Sequence, residues 1–395
     1  MTRRYFFIIA FLLFLISRLY ILKFPPPFYS DVFHDYRRYA EMWQSGITPY
    51  FKHLYEYPPA TIPLLYLPQV LNRMNIGHYY ENYRLQIFFL DTLIFIFILK
   101  TISQLKVKPL SKYLALGFYL IGSMIAKDFF YEGIDLVFAG SLALALICFN
   151  RRLLFWFFFW LSTSLKLLTA PLAAPYFFMK KLSFFKELKT AILGFLLVWG
   201  LPLVIFRSSL SVMFFFHNQR GLKYASFPSF IVETINYFTQ TEVRLNLPPD
   251  FQLTGPVSDV ATKIVGIVFP LSILMVIGYA LYIIFIRKNY TNYIFSLKLA
   301  LIYIFTIFLT AKIFSQPFHI WFLPLIALFP FQSIKKQLIF MLLGIWLLII
   351  DTTPWIRVNE SLMILNPLPL KFFTYSLRFL PMFILLGLSY KLPNK

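Results

Sequence analysis

Apolar segments recur along the whole of this 395-residue chain. After Met1-Thr2-Arg3-Arg4 an apolar run reaches about Phe24. Further runs sit near 86–104, 113–127, 134–149, 153–179, 187–206, 264–286, 293–313, 318–331, 337–350 and 372–390. A hydrocarbon core about 30 Å thick takes roughly 20 helical residues to cross, so most of these runs are candidate membrane spans. With 59% hydrophobic residues, 13% charged and a mean hydropathy of +0.71, the chain has too little polar surface to cover a soluble core. That excludes a soluble enzyme, a disordered tail and a secreted disulfide scaffold. Cys148 is the single cysteine, so it can form no internal disulfide and build no thiolate metal site.

The charges give an orientation. There are 37 Lys and Arg against 16 Asp and Glu, a net charge of +21. In a soluble protein that excess points to nucleic acid; in a chain of spans it points to cytoplasmic loops facing anionic lipid, with no nucleic-acid partner. With the N-terminus inside, the cytoplasmic loops hold Lys106, Lys108 and Lys112, then Arg151 and Arg152, then Lys180, Lys181, Lys186 and Lys189. Arg287 and Lys288, Lys335 and Lys336, and finally Lys391 and Lys395 complete the set. The pattern needs 153–179, which is too long for one crossing and carries Lys166 and Pro171 in its middle, to be two half-helices meeting at the lysine. The first run reads as an uncleaved helix, since Pro25-Pro26-Pro27 follows it rather than a small-residue cleavage site.

The expected fold is therefore an all-α polytopic membrane protein, a single integral membrane domain over 1–395 with both termini cytoplasmic. It has roughly twelve crossings, within a range of about 10 to 13. Large outer loops fall at about 25–85, 207–262 and 351–370.

Almost everything polar that is not basic falls in those outer loops or at helix ends beside them. Asp31 and Asp35 lie four apart, on one face if helical. A carboxylate at the membrane surface can take the proton of a hydroxyl nucleophile; the ordinary alternative is a helix cap or a pair with Arg37 or Arg38. Tyr57-Pro58-Pro59, followed by apolar Ile62 to Leu67, points to a loop that bends back into the interface. Asp135 heads a helix, where capping alone accounts for a carboxylate. Lys166 lies inside an apolar run and needs a partner, either Asp135 or a bound phosphate; the sequence does not choose. His217 and Arg220 precede Gly221, and an Arg fork matches phosphate oxygens, although an interfacial amphipathic helix has similar composition. Lys312, Gln316 and His319 sit around a Ser-Gln-Pro break at another outer helix end.

These segments, taken in order over most of the chain, resemble the GT-C superfamily of polytopic glycosyltransferases. The likeness is greatest to glycosyltransferase family 87 and its relatives, the polyprenyl-phosphate-mannose-dependent mannosyltransferases. The first-loop pattern of that family is matched by Ser30-Asp31, Tyr36 and Tyr39, Gly46-Ile47-Thr48-Pro49-Tyr50 and Tyr57-Pro58-Pro59. Its Gly-x-Asp is matched by Gly133 and Asp135, and its Lys before a Pro-containing run by Lys166 and Pro171. Its His-x-x-Arg-Gly-Leu is matched by His217, Arg220, Gly221 and Leu222, and its Lys-x-x-Ser segment by Lys312, Ser315, Trp321 and Pro324. Two places depart: Gln316-Pro317-Phe318 stands for Pro-Gln-Tyr, and Lys223 and Ala225 stand where Gln and Glu are usual. The departures bear on the acceptor more than on the mechanism.

The resemblance implies a GT-C fold and inverting transfer of a sugar, mannose first, from a polyprenyl-phosphate carrier to a hydroxyl of a glycan or glycolipid. The site would face the outside of the cell membrane. It implies Asp31 as base, with Asp35 as second acidic residue or acceptor ligand, and Lys166 and Arg220 as cations for the leaving phosphate. His217 and His319 would bind sugar or phosphate, with Asp135, Tyr57, Lys312 and Gln316 in support. No cofactor and no obligatory metal are expected, since phosphate is already a good leaving group. A nucleotide-sugar donor would need a cytosolic nucleotide-binding domain, and no cytoplasmic loop exceeds about twenty residues, below the ~50 of a small domain. The second reading is a transporter or flippase of lipid-linked sugars. Transporters, however, place polar sites near the midplane between repeats, and here polar groups gather at one rim with no visible repeat.

Overall fold

A computed structural model describes residues 3–24, 30–180, 184–239, 244–246, 252–352 and 368–395, and most of them are helical. In hydrocarbon every backbone N–H and C=O must be satisfied within the chain, and an uninterrupted apolar run does this as helix. The first run forms α1 (Arg3–Lys23). A π-helical turn at Val32–Tyr36 leads into α2 (Arg37–Gln44), and α3 (Thr61–Arg73) closes the first large loop. Then come α4 (Tyr79–Gln104), α5 (Pro109–Ile125), the single turn α6 (Lys127–Phe130), α7 (Asp135–Ile147) and α8 (Arg152–Leu165). Lys166 is extended (φ −146°, ψ 121°), and the chain resumes as a 3-10 helix over Leu167–Leu172 and α9 (Ala173–Met179). The expected break at this lysine is present.

The second half continues through α10 (Phe184–Phe206), α11 (Ser211–Gln219), α12 (Phe227–Thr239), α13 (Pro256–Tyr282) and α14 (Asn292–Thr310). A 3-10 helix over Gln316–Trp321 leads into α15 (Phe322–Leu328), followed by α16 (Ile334–Thr352) and α17 (Leu368–Tyr390). Most of the expected outer loop 351–370, Lys181, Pro25-Pro26-Pro27 and part of 207–262 lie outside the described residues.

Six helices among the described residues are long and apolar enough to cross a membrane: Arg4–Lys23, Tyr79–Gln104, Phe184–Gln219, Pro256–Arg287, Asn292–Thr310 and Phe372–Tyr390. The expected twelve crossings are not confirmed among the described residues, and several of the remaining apolar helices are shorter than a full crossing. The helices α7 and α8 have 13 and 14 residues, or about 20 Å of rise against a core of about 30 Å. The apolar stretches Leu167–Met179 and Gln316–Leu328 are comparably short. These short helices pack on one another: α7 lies against α8 and against the Gln316–Trp321 helix, which leads into α15.

Two buried polar clusters fasten the bundle. Arg18 of α1 is fully buried, donating through Nε to Asp91 of α4 at 2.6 Å and through a terminal nitrogen to Ser123 of α5 at 2.5 Å. Tyr119 and Tyr131 donate to the same carboxylate at 3.1 and 2.8 Å. An arginine in an apolar helix needs such saturation, since one unpaired buried charge is costly. At the other end of the bundle, Trp156 of α8 donates to Glu187 of α10 at 2.5 Å, with Lys180 3.4 Å from the same carboxylate.

The one sheet among the described residues is small, with strands β1 (Leu222–Lys223), β2 (Arg244–Asn246) and β3 (Gln252–Thr254) in the antiparallel order β1-β3-β2. Leu222 faces Leu253 and Lys223 faces Gln252. Leu222, Val232, Leu253 and Val265 form a separate small apolar cluster beneath it.

Candidate functional site

The exit of α1 sets the position of Asp31. Arg84 donates to the carbonyls of Ile21, Leu22 and Phe24 at 2.8, 3.2 and 3.0 Å, satisfying C-terminal groups that the helix leaves unpaired. Its Nε lies 3.2 Å from Glu132, and Glu132 accepts from Ser30 at 2.5 Å and from Tyr80 at 2.8 Å. The residue after Ser30 is thereby held over the α6–α7 turn. Asp31 itself is half-buried and accepts no hydrogen bond from the described residues. Burial first, then the charges of Asp35, Glu56 and Asp135, push its carboxyl up to about 7 against the opposing pull of Lys223. Asp35 lies 3.3 Å from the exposed Arg38.

The Tyr57-Pro58-Pro59 loop docks back onto the bundle. The Ala60 N–H donates to the carbonyl and hydroxyl oxygens of Ser164, both at 3.1 Å, two residues before the Lys166 break. Tyr50 donates to the Tyr57 carbonyl at 2.5 Å, and the Tyr57 ring meets Tyr36 edge-on at 5.7 Å. This puts Glu56 3.4 Å from the Arg220 guanidinium. Burial raises the Glu56 carboxyl and Arg220 opposes it.

Two loops then close over one another. The Lys223 N–H donates to the Lys312 carbonyl at 2.9 Å, and the Lys312 ammonium donates to the Arg220 carbonyl at 2.6 Å. The Gly221 N–H donates to Gln252 Oε1 at 2.8 Å, and a Cβ at that glycine would lie 2.9 Å from the same oxygen. The atom approached is the tip of a side chain, so an added Cβ would displace the Gln252 amide and cost its hydrogen bond to the Gly221 N–H. His217 stands near the end of α11. Its ring faces the charges of Arg220, Lys312 and Lys166. Burial lowers Lys223, with Asp31 opposing, and lowers Lys312, with Arg220 adding to the effect.

At the break after α8 the Lys166 ammonium donates to Asp135 Oδ1 at 2.6 Å, and Trp321 Nε1 donates to the same oxygen at 2.6 Å. Phe318 and Trp321 stack at 4.2 Å, and the ammonium lies 4.5 and 4.9 Å from their ring centres. Of the two partners left open by the sequence, Lys166 has Asp135.

Asp31, Asp35, Asp135, Lys166, His217, Arg220 and Lys312 thus share one neighbourhood, with Tyr57 packed behind it and Gln316 at the head of the 3-10 helix that carries Trp321. His319 does not join them as a ligand. It is fully buried, its Nδ1 2.7 Å from Asp351, which also accepts from Arg378 Nε at 2.7 Å. Its place is behind the site, tying the Gln316–Trp321 helix to α16 and α17. Sequence reasoning missed Glu56 and treated Lys223 only as a departure, yet both face Asp31 electrostatically. No protein-family model matches the chain, and no curated protein matches it either.

Proposed function

We propose that this protein is an inverting glycosyltransferase of the membrane. It would move a sugar from a polyprenyl-phosphate carrier to a hydroxyl of a glycan or glycolipid on the outer face, with mannose the expected sugar by resemblance alone. The observation that carries the reading is Asp31: a half-buried carboxylate, accepting no hydrogen bond from the described residues, which burial and the neighbouring Asp35, Glu56 and Asp135 push up to about 7 against the pull of Lys223. A general base works best with a pKa near the operating pH and with its lone pairs free.

In the reaction, the acceptor O–H gives its proton to Asp31 while its oxygen bonds to the anomeric carbon. The bond from that carbon to the phosphate oxygen breaks on the opposite face, and its electron pair leaves with the phosphate. Cations fixed in advance stabilise the charge that develops there. The short apolar helices that carry Asp135 and Lys166 support the same reading, because they set a carboxylate and a cation beside apolar helix surface on which the tail of a lipid phosphate would lie.

Purified protein in proteoliposomes, given a panel of polyprenyl-phosphate sugars with glycan and glycolipid acceptors, tests the reaction. Release of polyprenyl phosphate with formation of a glycosylated acceptor is expected, and its loss in Asp31→Asn. Transfer from GDP-mannose in liposomes free of lipid phosphate would overturn the proposal.

A further inference from the structure

Four cations crowd the candidate site, and they differ in what already holds them. Lys166 is engaged by a carboxylate at 2.6 Å and by two aromatic faces. Lys312 is engaged by main-chain carbonyls at 2.6 and 3.4 Å, and its ammonium serves to close the two loops. Arg220 has Glu56 at 3.4 Å and the face of Phe216 at 4.8 Å, with donors to spare. Lys223 is different. Among the described residues its ammonium has one contact, the Ser315 hydroxyl at 3.4 Å, and no counter-ion within hydrogen-bond reach.

Its backbone, by contrast, is tightly fixed. Lys223 pairs with Gln252 across the sheet and donates its N–H to the Lys312 carbonyl. A half-buried ammonium with one long hydroxyl contact and no counter-ion in reach keeps most of its donor capacity for a bound anion. Resting on the transferase reading, we propose that Lys223, together with Arg220, grips the phosphate of the lipid carrier, while Lys166 serves to orient Asp135. As the bond to the anomeric carbon breaks, the phosphate gains one negative charge, and Lys223 is the cation with hydrogen-bond donors free to meet it. Arg220 and Lys223 stand three residues apart, with Gly221 and Leu222 between them, and their charges interact, so one short stretch of chain can offer both to a single phosphate.

The test is binding of farnesyl phosphate to purified full-length protein in detergent, followed by calorimetry, with farnesol and inorganic phosphate as companion ligands. Wild type should bind farnesyl phosphate more tightly than either companion. Lys223→Gln should bind it roughly ten- to a hundredfold more weakly, and Lys223→Arg should keep most of the affinity. Thermal unfolding of the same samples separates function from structure: removing an unsatisfied buried charge should leave the Tm of Lys223→Gln unchanged or higher.

Equal affinity in wild type and Lys223→Gln overturns the inference, and so does a lower Tm that accounts for the loss. Inorganic phosphate binding as tightly as farnesyl phosphate overturns its lipid character. If wild type transfers sugar while Lys223→Gln binds normally, the inference fails and the transferase reading stands. If wild type neither binds farnesyl phosphate nor transfers, both fall.

Discussion

The ammonium of Lys166 lies 2.6 Å from Asp135 Oδ1, and each side chain belongs to a short apolar helix end where water is scarce. The pair holds the end of α8 against the start of α7, and Trp321 brings the Gln316–Trp321 helix to the same oxygen. Removing one partner of a buried pair strands the other charge, at a cost of about 3–5 kcal/mol. Lys166→Met should therefore unfold at clearly lower temperature in detergent, and Lys166→Met with Asp135→Asn should recover most of the loss. A single variant as stable as wild type would show that the pair does not carry the fold.

Asp31 makes the pH dependence specific. Transfer should rise with pH through about 7 and level off above it, because the base must be ionised. Asp31→Asn should be slower by about a hundred- to ten-thousandfold across that range. Stability runs the other way. A carboxyl raised in the folded state resists ionisation there, so its contribution is most favourable below the unfolded pKa and is lost as pH rises through about 7. The Tm of Asp31→Asn should accordingly gain on wild type between pH 4 and 7 and keep a constant lead above. A pH-independent difference in Tm would remove the desolvated base.

How much of this is legible in the sequence depends on distance along the chain. The span positions and the break at Lys166 are local, since a lysine and Pro171 interrupt one apolar run. Asp31, Arg220 and Lys312 stand in short motifs and also end up together. Glu56 sits among tyrosines with nothing local to mark it, because its partner Arg220 lies far downstream on another element. Lys223 acquires its place from a strand of two residues, too short to leave an alternation that periodicity could detect. His319 reads as a rim residue because Asp351 and Arg378, which bury it, belong to two later helices.

That burial distinguishes two roles for His319. A donor ligand would alter KM at little cost in stability. A buried link to Asp351 would do the reverse. His319→Phe preserves ring volume but removes the nitrogen 2.7 Å from Asp351, and loss of a hydrogen bond to a charged group costs about 1.5–3 kcal/mol. The expected result is a lower Tm with the donor KM within about threefold of wild type. A tenfold rise in KM at unchanged Tm would return His319 to the donor site.

The last expectation concerns how α8 is held in place behind the site. Gly194 of α10 lies against α8 so closely that an added Cβ would come 2.7 Å from Trp156 Cβ and 2.9 Å from the Trp156 carbonyl carbon. A small residue is what lets two helices approach so nearly in a membrane, and here main-chain atoms cannot swing aside. Trp156 and Trp160 of α8 also donate to Glu187 and to the Ala191 carbonyl of α10, at 2.5 and 3.0 Å, so the helices are fastened at that spacing. Gly194→Ala should push α8 outward and cost about 1–3 kcal/mol. Because α8 carries Ser164 and ends at Lys166, transfer should fall with it. At Gly140 the obstacle is the tip of Ile94, which can rotate, and the cost should be smaller. Gly278 of α13 has nothing within 4 Å of an added Cβ, so Gly278→Ala should be neutral or more stable by up to about 1 kcal/mol from helix propensity. Thermal unfolding of the three variants should rank Gly278→Ala above Gly140→Ala above Gly194→Ala, and an unfolding temperature for Gly194→Ala equal to that of Gly278→Ala would mean that α8 and α10 are not held in this contact.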